Sequence, residues 1–355
     1  MYTHFSVNLG ILSRKVKWSI IEGPCNSAGL AAGGRLNYQN FNYLKEKYLK
    51  VKRVLDVNLH TAFYPGNYLC GLTLTLPGHA ERVLQDLIRY GKTKQRLKRP
   101  GVLRLFDLPK RWFSHFYAVS VLWNGLLIIL SVRNVMFGEA LPDFLTDALC
   151  LLTGRPKSVW NELQVNILVL LLLLWVHSLR RLLECLFVSV FSDGVIHVVQ
   201  YAFGLSYYIL LGLTVLCVEF PQPTNGSSTS SFSSLLTWYN AAGVQLFIWA
   251  SLLQHRSLTL LASLRTSSSG KVETLAHRIP RGGWFELVSC PHYLAELLIY
   301  ASLGVFCGCF SLTWWLVVFY VLCNQALAAK LCHEYYQSTF KGYPHQRKAF
   351  LPFLF

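Results

Sequence analysis

The chain has 355 residues, of which 53% are hydrophobic and only 14% charged, and its 33 Lys and Arg outweigh 17 Asp and Glu to give a formal net charge of +16. A soluble domain carries about 25% charged residues, so this balance excludes an ordinary soluble enzyme. The basic residues lie between long apolar runs, which excludes a nucleic-acid-binding face and points to membrane lipid headgroups or a phosphorylated cofactor as partners.

Residues 1–82 read as a leader. They hold Gly29, Gly33, Gly34 and the basic stretch Lys45 to Arg53, with no apolar run long enough to span a bilayer. Met1 to Lys17 also lacks the sustained apolar centre of a signal peptide. Tyr43 with Lys47, and Tyr90 with Lys94, match the Tyr-x-x-x-Lys pair of short-chain dehydrogenases. Neither follows a strand and a glycine-rich turn, so a soluble dinucleotide fold is not expected.

Residues 83–355 read as the membrane-embedded unit. About 20 mostly apolar residues cross a bilayer. That ruler predicts helices at Phe116 to Val135, Leu163 to Val190, Val195 to Val218, Leu235 to Ala262, Glu286 to Phe306 and Leu312 to Leu331. Leu141 to Leu152 is too short to span and reads as interfacial. The expected fold class is all-α, a polytopic membrane bundle of about six helices. The ten cysteines are scattered and read as reduced core residues.

The second span carries the sharpest signal. From Ile167 to Val176 it is unbroken Leu, Val, Ile and Trp, and it then runs into His177, Arg180, Arg181 and Glu184. At about 100° per residue these four share one helix face. Ionisable groups at the edge of hydrocarbon are costly and usually functional. The fifth span repeats the pattern with Ser289, His292 and Glu296, and the sixth with Asn324, Gln325, His333 and Tyr336.

Loop charges predict the orientation. Arg256, Arg265, Lys271, Arg278 and Arg281 cluster between the fourth and fifth spans, and Lys341, Arg347 and Lys348 follow the sixth, so both regions are expected in the cytosol. The connection Pro221 to Ser234 is uncharged and contains Asn225-Gly226-Ser227, a glycosylation acceptor expected on the lumenal side. The charged stripe then shares the cytosolic side with the basic loop and tail.

Four blocks carry a resemblance: Gln85 to Lys92, His177 to Glu184, His277 to Pro280, and the tail Tyr343 to Phe355. They resemble the steroid 5α-reductase family, and within it the branch that reduces polyprenoids for dolichol synthesis. The resemblance covers Val83 to Phe355. It implies an endoplasmic reticulum membrane enzyme that binds NADPH, saturates the α-isoprene double bond of a polyprenoid lipid and so supports protein N-glycosylation. Family members have seven spans, the first ahead of the Gln85 block.

Chemistry narrows the substrate. Hydride is a nucleophile, and an alkene accepts it when conjugated to a carbonyl, so the aldehyde polyprenal is the expected species; no metal or covalent nucleophile is required. By resemblance Gln85 and Asp86 match the family's Gln-Glu pair beside the substrate carbonyl. Ser178, next to His177, stands where the steroid branch has a carbonyl-polarising tyrosine. Arg181, Arg265, Glu296 and Tyr336 fall where the family contacts NADPH, His292 replaces an asparagine there, His333 lies near that tyrosine, and Arg347 matches an arginine of the terminal motif. The alternatives are a steroid enone reductase (3-oxo-5α-steroid 4-dehydrogenase), an S-adenosylmethionine-dependent membrane methyltransferase, which the run Ser289 to Glu296 also echoes, and a non-catalytic membrane scaffold.

Overall fold

The computed structural model describes residues 78–95, 97, 99–220, 235, 237–267 and 269–354. The glycine cluster, the Tyr43 and Lys47 pair and the Asn225 acceptor sequence lie outside the described residues.

Three short helices, α1 (Gly78–Ile88), α2 (Lys92–Gln95) and α3 (Gly101–Arg104), lead into strand β1 (Asp107–Pro109). Then come α4 (Phe113–Phe137), α5 (Asp143–Thr153), α6 (Val165–Leu183), β2 (Val195–His197), α7 (Val198–Leu216), α8 (Trp238–Ser263), α9 (Pro291–Phe306) and α10 (Leu312–Thr339). The six long helices follow the six apolar runs, and α5 is the short segment read as interfacial. Four stretches, Lys110–Phe137, Val165–Val188, Val198–Leu216 and Leu312–Thr339, are long and apolar enough to cross a membrane. The chain is thus a polytopic helical membrane protein.

Local chemistry sets the helix ends that matter. α9 begins at Pro291, later than its apolar run, because a proline in the first turn has a suitable φ and no N–H to leave unpaired. α6 ends in a π-turn over Glu184–Val188, which brings Glu184 under the two arginines of the preceding turn. α8 starts with Thr237 capping the backbone N–H of Asn240. Asn240 in turn donates to the Phe306 carbonyl at 3.0 Å, pinning the start of α8 to the end of α9.

The same crossing explains Gly243. A Cβ there would lie 2.7 Å from the backbone N and Cα of Phe306, so only glycine lets the two helices approach this closely. Gly243→Ala is expected to destabilise the protein by about 1–3 kcal/mol through overpacking, read as a lower melting temperature in detergent. No loss of stability would show that α8 and α9 stand further apart.

The segment ahead of α4 is folded onto the bundle by charge. β1 and β2 form a two-stranded antiparallel ribbon with Asp107 opposite His197 and Pro109 opposite Val195. Gly91 donates its N–H to the Val195 carbonyl at 2.8 Å. Behind the ribbon Lys94, fully buried, bridges Asp86 at 3.0 Å and Asp107 at 3.2 Å, while Arg99 reaches Asp86 at 2.9 Å and Asp107 at 2.8 Å. Two carboxylates and two cations balance. Burial opposes charge on Asp107, but the bonds from Arg99 and Lys94 outweigh it and hold that carboxyl below its ordinary value.

Candidate active site

A cavity of about 540 Å³ lies where the starts of α4, α7 and α9 meet the ends of α6, α8 and α10. It has two zones. At the helix ends its wall is basic, with Lys92, Lys110, Arg265, His277 and Arg278; deeper in the bundle it is aromatic, with Phe116, Phe203, Tyr207, Tyr208, Tyr300 and Tyr320.

The basic zone is short of carboxylates. Lys92 sits over the rings of Tyr336 and Tyr335 at 3.8 and 5.0 Å, and Lys110 over Tyr90 at 5.6 Å. Among the described residues neither lysine forms an ion pair with a carboxylate, although both line the cavity. Arg265 donates to the Val190 carbonyl at 2.6 Å. His277 feels burial first and then the charges of Lys92, Arg265 and Lys110, which push it down to about 3, so it is neutral at ordinary pH. Burial likewise pushes Tyr90 up to about 12, keeping it a phenol, and its hydroxyl bonds that of Tyr293 at 3.0 Å. Such a wall favours a polyanion.

The border between the zones is a hydrogen-bonded network. Gln254 Nε2 donates to Glu296 at 2.5 Å, and its Oε1 accepts from Arg180 at 2.5 Å. Arg180 also meets His177 Nδ1 at 3.2 Å. A guanidinium can only donate, so Nδ1 is the acceptor and the proton of neutral His177 sits on Nε2, which faces Glu296 at 3.4 Å. Glu184 takes Arg180 at 2.7 Å, Arg181 at 2.5 Å and His255 at 2.9 Å. The α6 stripe is therefore one connected framework.

Five of the residues expected to contact a cofactor line this cavity: Arg181, Arg265, His292, Glu296 and Tyr336. The other two do not. Arg347 is buried beneath the loop before α9, donating to the Pro280 carbonyl at 2.7 Å and pairing with Glu286 at 3.0 Å. His333 Nδ1 bonds Ser289 Oγ at 2.6 Å, and that oxygen also meets the Tyr343 hydroxyl at 2.5 Å. Both residues secure the tail.

The residues expected beside the substrate carbonyl, Gln85, Asp86, Ser178 and His177, are not on the wall of this cavity. Asp86 is absent from the cavity wall because Lys94 and Arg99 hold its carboxylate, and Gln85 accepts from Arg89 at 2.9 Å. Ser178 turns into the α4–α6 interface, where its hydroxyl meets Ser120 at 2.7 Å and donates to the Leu174 carbonyl at 3.0 Å. His177 is fully buried behind Glu296 and orients it. In their place the cavity gains Tyr90, Lys92, Lys110, Tyr117 and Gln254. Only Tyr90 and Lys92 had a signal, since they belong to the Gln85 block.

A nicotinamide dinucleotide phosphate fits what the walls offer. Lys92 and Lys110 suit phosphates, and the buried Nδ1 of His292, which has no hydrogen-bond partner among the described residues, suits a polar group of the ligand.

A family model described as 3-oxo-5-alpha-steroid 4-dehydrogenase matches residues 196–355. The chain is 62% identical to a polyprenal reductase of Danio rerio over 306 residues, 86% of this chain and 98% of that protein. It is 53% identical to a polyprenal reductase of Xenopus tropicalis over 273 residues, 77% of this chain and 88% of that one. For a polyprenal reductase of Homo sapiens the figures are 50% over 283 residues, 79% and 88%.

Proposed function

The chain belongs to the steroid 5α-reductase family, in its polyprenal reductase branch, and from that membership we propose that it reduces the α-isoprene double bond of polyprenal with NADPH in the endoplasmic reticulum membrane, with the basic end of its cavity facing the cytosol. The product, dolichal, feeds dolichol synthesis and hence protein N-glycosylation. The catalytic unit in this reading is residues 83–355.

The observation that carries the proposal is the division of one cavity into a basic end and an aromatic interior. A dinucleotide is a polyanion with a flat, polar reactive ring; a polyprenoid is a hydrocarbon with one polar carbon. The basic end takes the first and the aromatic interior the second, so their reactive ends meet at the border layer of Arg181, Gln254, His292 and Glu296. NADPH, when bound, supplies hydride to the β-carbon of the enal. Glu296 and His292 orient the nicotinamide amide, Lys92, Lys110 and Arg265 neutralise phosphates, and the aromatic wall keeps water from the reacting carbons.

The test is an assay of purified protein with polyprenal and NADPH, the expected result being dolichal. Preferred turnover of a steroid enone, or tight binding of S-adenosylmethionine with none of NADPH, would replace this reading. One variant probes the basic end: Lys92→Met is expected to weaken NADPH binding by about 10- to 100-fold, the worth of a hydrogen bond to a charged group. Equilibrium titration measures it, and unchanged affinity would move the phosphates elsewhere.

A further inference from the structure

Asp86 and Ser178 are bonded to other side chains and do not line the cavity, and the geometry points to Tyr117 as the residue that protonates the substrate oxygen. This assignment rests on the reductase reading above.

Tyr117 is buried, lines the cavity, and lies one turn into α4. Its place matches the border layer: Glu296 is likewise near the start of α9, and Arg181 is near the end of α6. At about 1.5 Å per residue, Tyr207 and Tyr300 lie more than a turn deeper along their helices than Tyr117 does along its own. Tyr90 and Tyr293 lie toward the basic end and bond each other.

Charge distinguishes Tyr117 further. The guanidinium of Arg181 stands 5.1 Å over its ring, and Arg181 Nε approaches its hydroxyl oxygen at 3.4 Å. Arg181 can only donate, so the phenol proton is not used in that contact. Arg181 is itself fixed by Glu184 at 2.5 Å, so the cation stays in place as charge builds on the phenol oxygen. Among the described residues no cation stands over the rings of Tyr207, Tyr208 or Tyr300. The steroid branch places its polarising tyrosine on the second span beside the histidine; here a tyrosine from the first span reaches the same cavity.

The step balances as follows. As the enal β-carbon accepts hydride from the bound nicotinamide, the C=C pair moves to form a new double bond toward the carbonyl carbon. The carbonyl π pair moves onto oxygen. Tyr117 gives that oxygen its proton, leaving an enol and a phenolate paired with Arg181. Water from the basic end returns a proton to Tyr117, and the enol tautomerises by taking a proton at the α-carbon and releasing the one on oxygen. The net change is one hydride and one proton added to the enal, with the nicotinamide oxidised.

Two readouts test this, one of which needs no turnover. With NADP⁺ and a short enal such as citral bound to the full-length protein, the infrared carbonyl stretch is expected below its value in apolar solvent; in Tyr117→Phe it returns to that value. NADPH affinity stays unchanged, and kcat with polyprenal falls by about 10²–10⁴-fold, the range for a general acid. Should Tyr117→Phe misfold, replacing Tyr117 with 3,5-difluorotyrosine keeps the shape and makes the phenol more acidic, so the alkaline limb of the kcat profile moves to lower pH. Full activity in Tyr117→Phe, a carbonyl band that remains shifted, or an alkaline limb that does not move overturns the assignment and leaves the reductase reading standing. If the wild-type protein reduces no enal with NADPH, it is the reductase reading that fails, and the carbonyl band still decides the tyrosine.

Discussion

Glu296→Gln is expected to weaken NADPH binding by about 30-fold or more, because truncating one partner of a buried, charge-assisted hydrogen-bond set costs about 2–5 kcal/mol. The carboxylate is 8% exposed and already accepts from Gln254, with the His177 Nε2–H facing its other oxygen. A carboxylate offers about four lone-pair sites, so acceptor capacity remains on the side that lines the cavity, where an amide NH₂ of the cofactor is a natural donor. Glutamine halves the acceptors and adds an NH₂ among groups that are themselves donors. Gln254, His177 and the cofactor then compete for one oxygen. The measurement is equilibrium titration of NADPH beside a melting curve; affinity unchanged in a folded variant would remove Glu296 from the cofactor's contacts.

The second large effect lies away from the cavity. Asp86→Ala leaves Lys94, which is fully buried, and Arg99 sharing Asp107 alone. Breaking a buried pair by removing one partner typically costs about 3–5 kcal/mol, because the remaining charge stays in a poor solvent. A large drop in melting temperature is therefore expected. Replacing both partners, Asp86→Leu with Lys94→Met, should recover much of it, since no lone charge is then buried. A folded, fully stable Asp86→Ala that has lost activity would instead return Asp86 to the reaction. The cluster also ties stability to acid. Asp107 titrates below its unfolded value, so its contribution is complete above that value, near about 4, and is lost as pH falls through the lower folded value.

Much of this architecture was legible in the sequence because hydrocarbon is an unforgiving solvent: the spans had to be apolar runs, and the polar stripe on α6 had to face something other than lipid. The same periodicity put His177, Arg180, Arg181 and Glu184 on one face, where the structure links them in a single network. What periodicity does not specify is which titratable groups meet across helices. Asp86 resembles a catalytic carboxylate by motif, yet its partners Lys94, Arg99 and Asp107 are set by the turn at Gly91 and the β1–β2 ribbon. Ser178 is one position from His177, and that step of about 100° turns it onto α4 while His177 turns to Glu296. His333 is three residues from Tyr336, which lines the cavity, yet its side chain, like that of Arg347, ties down the tail. Tyr117, alone at the start of an apolar helix, carried no signal.

The tail latch also orders the protein's birth. Val288 pairs with Lys348 in a parallel bridge, Arg347 lies beneath Pro280, and Tyr343 bonds Ser289, so residues 343–348 hold the stretch that carries His277 and leads into α9. Synthesis runs from the N-terminus at about 5–20 residues per second, so all six long helices leave the exit tunnel ahead of this latch. The nascent protein passes through a stage in which the bundle stands and the basic end of its cavity is unfastened. A premature stop just after α10 would freeze it there, as a membrane protein of normal helix content whose basic cavity end never closes, a target for quality control by looseness alone.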